Sequence, residues 1–260
     1  MREIKNTLTL LIKLVKNDLK ARYSGSIFGI VWAFIQPLVT ILVFWYVFQI
    51  GFKNPPVDNI EFILWYAAAY IPWIFFNDGF MSSTNVLYEY SYLVKKMKFK
   101  VWLLPIVKVL SALYIHCFFI IFVWGLFMLY GYSFNIHWFA VLYYSFAITM
   151  LLLGISYITS SISVFIKDNS QFINIFLQIL FWMTPIFWAD STMNANVLKI
   201  LKLNPMYYII TGYRNALIYN KGILEQSSKL MVLYWSYVVI VLLIGIRIYK
   251  KLRVHYSDLL

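Results

Sequence analysis

The chain has 260 residues, of which 62% are hydrophobic, 20% aromatic and only 12% charged. Soluble domains carry about 25% charged residues, so this composition excludes a water-facing globule. The net charge of +12 would suit nucleic acid, but the positive residues flank apolar stretches instead of tiling one soluble face, which is the collar of a membrane protein and not a nucleic-acid groove.

Residues 23–52 and 109–166 contain no Asp, Glu, Lys or Arg. A membrane-crossing helix needs about 20 apolar residues, and the second stretch is long enough for two. The expected fold is all-α: a single polytopic membrane domain over 1–260 with six transmembrane helices. Segment 1–26 comes first. Leu8, Leu11, Ile12, Val15 and Leu19 share one helical face, and Lys5, Lys13, Lys16 and Lys20 share another. That pattern predicts a helix lying in the membrane interface, and its lysines interrupt any cleavable signal core.

Spans one to five fall within 27–189, at about 28–50, 62–87, 102–130, 137–166 and 172–188. Asp78 interrupts the second span, and suits a helix kink or a polar contact better than ion coupling, which needs more than one carboxylate at depth. Segment 190–229 holds two short apolar runs, 197–203 and 206–217, split by Asn204-Pro205. Neither can cross a bilayer, so both are expected as re-entrant helices at the outer face. The sixth span is 230–249 and the tail 250–260. Segments assigned to the inside carry 16 Lys and Arg against 6 outside, which puts both termini in the cytoplasm.

The residues that could do chemistry are few. Cys117 is the single cysteine, which excludes a disulfide framework or a cysteine metal site. His116, His137 and His255 show no metal-ligand spacing. No Gly-Lys dipeptide is present, so the chain lacks a phosphate-binding loop and cannot drive transport with ATP alone. A membrane glycosyltransferase would place acids where Asp58 and Glu61 stand, but the short loop leaves little room for a catalytic domain. Tyr70 and Trp73 lie deeper than an interfacial belt. With Trp182 they are candidate channel aromatics, since sugar rings pack their C–H faces on aromatic rings.

The stretch LVKNDLKARYSGSIFGIVWAFIQP over 14–37 resembles the start of type-2 ABC exporter permeases for cell-surface polysaccharides and polyol phosphates, the O-antigen and teichoic acid permeases. The matching positions are Asp18, Leu19, Lys20, Arg22, Tyr23, Ser26, Gly29, Trp32 and Pro37. Leu93-Val94-Lys95-Lys96 with Phe99 and Pro105 is similar to a second family block. Phe165 to Asp168, Phe181 to Phe187 and Leu203 to Tyr207 are similar to a third. Two positions depart from the pattern: Lys100 stands where the family has proline, and Lys167 where it has arginine, which removes a bidentate fork.

The resemblance implies a non-enzymatic permease subunit in the bacterial inner membrane. It implies a homodimer joined to two ATPase subunits, which would bind the ATP and Mg that this chain does not. The substrate would be a polymer linked to undecaprenyl diphosphate, with a small lipid or drug as the alternative. Residues 88–98 would be the coupling helix, through Tyr88, Glu89, Leu93, Val94, Lys95, Lys96 and Met97. Lys20, Arg22 and Tyr23, with Lys167 and Asp168, would either recruit the lipid diphosphate or anchor the span to headgroups. Asn204, Pro205, Tyr207, Tyr208 and Arg214 would form the outer gate.

Overall fold

A computed structural model describes residues 2–22, 24–53, 56–96 and 99–260. Tyr23, Met97 and Lys98 lie outside the described residues. Apart from a bridge between Val57 and Ile60, the regular structure among the described residues is helical.

Helix α1, Arg2–Arg22, is amphipathic as expected, but its apolar face is divided. Leu11, Val15 and Leu19 turn inward, toward the helix that starts at Leu103, while Ile4, Leu8 and Ile12 stay exposed. A short 3₁₀ turn, Gly29–Val31, leads into α2, Trp32–Trp45, which ends in a π turn, Tyr46–Gly51. Gly29 has φ +51°, a left-handed conformation that a side chain would strain.

Helix α3, Phe62–Thr84, is buried except along one partly exposed stripe, Tyr70, Ile74, Asn77, Asp78, Met81 and Ser82. It runs unbroken through Asn77-Asp78-Gly79, so Asp78 makes a polar contact and does not end the helix. Two single-turn helices follow, α4, Val86–Glu89, and α5, Ser91–Val94, in place of one continuous helix over 88–98. Then come α6, Leu103–Leu129, and α7, Ala140–Ser163, joined through the turn at 131–135 and a 3₁₀ turn, Ile136–Phe139.

Helix α8, Asn169–Trp182, has only 14 residues. It stops before the expected boundary at 188 because Pro185 disfavours helical backbone at the residue before it. The short helices α9, Ala195–Leu201, and α10, Pro205–Leu217, are split at Asn204-Pro205. Asn204 accepts from the Met206 amide at 2.9 Å, and Pro205 occupies the first helical turn, where a missing N–H costs nothing. The chain ends with α11, Ser228–Leu252, and α12, Tyr256–Leu259.

Among the described residues, four helical stretches are long and apolar enough to cross a membrane: Gly29–Gly51, Leu103–Leu129, Ile136–Ser163 and Ser228–Leu259. The chain is therefore a multi-pass membrane protein. The second and third of these are more than half buried, and the first and last mostly face outward. The core is thus α3 between α6 and α7, with α2 and α11 at the periphery. Helix α3 is as long as a span, but Asn77, Asp78 and its tyrosines dilute its hydropathy.

The two ends of the bundle differ. At one end a small second core unites Val86, Leu87 and Val94 with Leu104, Val164, Tyr249 and Tyr256. Both terminal helices sit there, with Lys100 reaching Thr7 at 2.8 Å and Tyr256 donating to Ser161 at 2.7 Å. The other end gathers the 56–61 turn, α9 and α10.

Glycines let α7 and α11 approach closely. A Cβ on Gly245 would lie 2.5 Å from the Gly154 carbonyl oxygen, and one on Gly154 would lie 2.8 Å from the Leu242 nitrogen. Small residues allow such backbone approach in membranes. Gly245→Val is expected to cost about 1–3 kcal/mol of stability through overpacking, read as a lower unfolding midpoint in detergent. Gly125→Ala, inside α6 where nothing lies within 4 Å, should hold the midpoint or raise it slightly, because alanine favours helix over glycine.

Candidate functional site

Helix α3 contains one charged residue, Asp78, and α6 contains one, Lys108. Charges inside apolar helices need partners, and α1 supplies both. Asp18 and Arg22 are four residues apart on α1 and so share a face. Lys108 Nζ lies 2.7 Å from Asp18 Oδ1 and 2.5 Å from Glu89 Oε2. Tyr90 donates to Asp18 at 2.7 Å and presents its ring 5.5 Å from the Lys108 ammonium. Arg22 takes Asp78 with both terminal nitrogens, Nη1 to Oδ2 at 2.8 Å and Nη2 to Oδ1. Such forks combine charge with fixed geometry.

Asp18 and Lys108 are nearly inaccessible, at 2% and 5%. Burial works against a charged Asp18 carboxyl, but the Lys108 charge and hydrogen bond, with the Tyr90 hydrogen bond, hold it below its ordinary value of 3.8. Burial and the hydrogen bond to Asp18 push the Tyr90 hydroxyl well up.

The Arg22–Asp78 pair lies where two clefts meet. One, about 270 Å³, runs between α2 and α3 and is lined by Gln36, Thr40, Tyr70, Trp73 and Asn77. The other, about 620 Å³, opens toward the end that carries both termini and is lined by Asp18, Asn85, Glu89, Tyr92 and Lys108. Arg22 and Asp78 line both.

The structure brings Arg22, Tyr70 and Trp73 into a single cleft. Tyr70 stacks on Tyr66, and Trp73 packs against Phe181 and Phe76. Trp182 is 67% exposed on the outer surface. Lys20 is exposed at the end of α1, and Lys167 and Asp168 are exposed in the turn between α7 and α8. That turn is fastened by Asn169, which donates to the Thr159 carbonyl at 3.0 Å and to Ser163 at 2.8 Å.

In the 88–98 segment Tyr88 donates to the Val164 carbonyl at 3.2 Å and Val94 is buried. Leu93 packs at the edge of that core, and Glu89 turns inward to Lys108. Lys95 and Lys96 project outward.

The opposite end is tightly tied. The Arg214 guanidinium stacks 3.3 Å from the Trp65 ring centre and donates to the Trp65 and Ile186 carbonyls. Tyr207 donates to Asp190. The Tyr208 hydroxyl meets Tyr143 at 3.2 Å, and Asn204 donates to Thr184 at 2.8 Å. Asp58 accepts from Tyr219 at 2.5 Å, and Glu61 from Gln49 at 2.7 Å, so both loop acids are engaged. Burial and Asp58 push the Tyr219 hydroxyl up to about 12.

Sequence reasoning missed two polar centres. Lys108 falls inside the expected third span, 102–130, and a lone lysine within an apolar helix is itself the signal of a buried pair. His116 Nε2 lies 2.8 Å from the Tyr213 hydroxyl and 3.1 Å from Ser145, fastening α10 to α6 and α7. Among the described residues no cluster of His, Cys, Asp and Glu could hold a metal ion.

A family model described as "ABC-2 type transporter" matches residues 9–218. Two Klebsiella pneumoniae proteins, each called "O-antigen export system permease protein RfbA", are 24% and 23% identical over 256 residues, covering 96% of this chain and 95% of theirs. A Myxococcus xanthus protein of the same name is 28% identical over 239 residues, covering 90% of this chain and 88% of its own.

Lys108→Met leaves Asp18 buried without its cation and is expected to cost about 3–5 kcal/mol, with much less lost in Asp18→Asn/Lys108→Met. Detergent unfolding midpoints measure both. Because the Asp18 pKa is depressed, its contribution is fully present above its unfolded value of about 3.8 and fades as pH falls through the lower folded value. Acidification below about pH 4 should therefore destabilise the wild type more than Asp18→Asn.

Proposed function

The chain belongs to the ABC-2 type transporter family, and from that premise we propose that it is the membrane subunit of an ATP-driven exporter for a lipid-linked cell-surface polysaccharide. It is a permease and not an ATPase: the family has no ATPase domain, and the sequence lacks the phosphate-binding loop. ATP and Mg would be bound by two separate ATPase subunits. O-antigen export is the activity named for the relatives.

The observation that carries the substrate class is the cleft between α2 and α3. It sets one guanidinium, Arg22, beside the amides of Gln36 and Asn77, the hydroxyls of Thr40 and Tyr70, and the ring of Trp73. A guanidinium suits a diphosphate. Amides and hydroxyls suit sugar hydroxyls, and an indole face suits the C–H face of a sugar ring. An exporter of small apolar lipids or drugs would have little use for this polar lining.

Six spans complete the reading: α2, α3, α6, α7, α8 together with the non-helical stretch that follows it, and α11. The excess of lysine and arginine at the end holding both termini favours the cytoplasm for that end and the bacterial inner membrane for the whole. Lys95, Lys96 and the outer face of α1 would meet the ATPase. Helix α8 has only Leu177 buried and exposes Phe172, Phe176, Ile179 and Trp182, which supports a second copy of the chain covering it. Asn204, Pro205, Tyr207, Tyr208 and Arg214 would form the gate at the far end, with α9 and α10 dipping into the membrane there.

In vesicles holding the permease and its ATPase, Tyr70→Ala/Trp73→Ala should reduce export of a lipid-linked polysaccharide by on the order of tenfold or more, as loss of about 1–3 kcal/mol of ring contact predicts. ATP hydrolysis without substrate should be unchanged. Undiminished export would refute the sugar pathway.

A further inference from the structure

The fork of Arg22 is already taken. Both of its terminal nitrogens face Asp78, and the same in-plane donors are the ones a diphosphate would use. The two side chains are 30% and 24% exposed, so the pair is reachable from the clefts on either side of it. Asp18–Lys108 pins α1 one turn earlier, so the Arg22 side chain can exchange Asp78 for another anion without moving its helix.

We propose that Asp78 is a carboxylate latch on the anion site: it holds the Arg22 fork while the clefts are empty and yields it to a diphosphate head group. This rests on the reading of Arg22 as the anion site. A released Asp78 stays beside polar neighbours, because Ser82 and Asn85 line the same cleft one and two turns along α3 and its end. The latch makes Arg22 a test of the head group. A neutral lipid has nothing with which to displace a carboxylate, whereas a diphosphate offers more charge and more acceptor oxygens. It also lowers the apparent affinity by the fraction of molecules in which Arg22 is released.

The test uses the full chain in lipid nanodiscs and three probes: farnesyl diphosphate, inorganic pyrophosphate and farnesol. Asp78→Asn should bind farnesyl diphosphate roughly two- to fivefold more tightly than wild type, the range expected for a partly exposed ion pair. Asp78→Glu, which keeps the carboxylate, should stay near wild type, and Arg22→Gln should lose binding with or without Asp78→Asn. Farnesol should bind all variants alike. Tightened pyrophosphate binding in Asp78→Asn supports the latch and places recognition in the head group alone; tightening for farnesyl diphosphate only supports the latch and adds the lipid chain.

If Asp78→Asn binds farnesyl diphosphate no better than wild type while Arg22→Gln loses it, the latch is overturned and Arg22 remains the anion site. If Arg22→Gln binds as wild type does, the anion site and the latch fall together. Should Asp78→Asn fail to fold, Asp78→Ser makes the same comparison.

Discussion

Two opposite charges set within neighbouring apolar helices, Lys108 buried and Asp78 partly exposed, need answers, and one amphipathic helix gives both. Lys108 in α6 takes Asp18, and Asp78 in α3 takes Arg22. The two α1 residues are four apart, one helical turn, so a single face of α1 satisfies both. Apolar packing alone would let such a helix slide along the bundle. Paired charges fix its register, because a buried ion left without its partner costs several kcal/mol. Everything else about this end of the molecule follows from that register. Lys13, Lys16 and Lys20 face outward, Glu89 is drawn in to Lys108, and Arg22 is held where two clefts meet.

Polarity is otherwise confined. Helix α3 is buried except for the stripe from Tyr70 to Ser82 that faces the clefts, with α6 and α7 against it, and α2, α8 and α11 turn apolar faces outward. The cleft between α2 and α3 is therefore a polar slot in an apolar wall, with Arg22 and Asp78 at one end of it. The far end of the bundle has a different character. Arg214 stacks on Trp65, Tyr207 reaches Asp190 and Tyr219 reaches Asp58, so the loops and short helices there are fastened to each other and to the start of α3. The Arg22–Asp78 and Arg214–Trp65 contacts are separated by about 20 Å along α3.

The helical architecture was legible because its signals are local. The amphipathic spacing of α1, the charge-free stretches behind α2, α6 and α7, and the cap at Asn204-Pro205 can each be read within one or two turns of chain. Proximity to Pro185 was equally local, and overlooking it extended α8 too far. The site was less legible because its pairs are remote. Arg22 and Asp78 are 56 residues apart and Tyr90 and Asp18 are 72 apart, and no periodicity links them. Facing was also hidden: Trp73 and Trp182 look alike as aromatics in apolar runs, yet one lines the cleft and the other stands on the outer surface. Glu89 looked like a surface charge because its partner lies in another helix.

The most direct measurement is a cryo-electron microscopy map of the chain with its ATPase, in nanodiscs without nucleotide, loaded with a prenyl-diphosphate-linked sugar. The predicted map has diphosphate density within hydrogen-bond distance of the Arg22 guanidinium, Asp78 turned away from it, and sugar density between Gln36 and Trp73. Substrate density elsewhere, with the Arg22–Asp78 pair intact and the α2–α3 cleft empty, would contradict it.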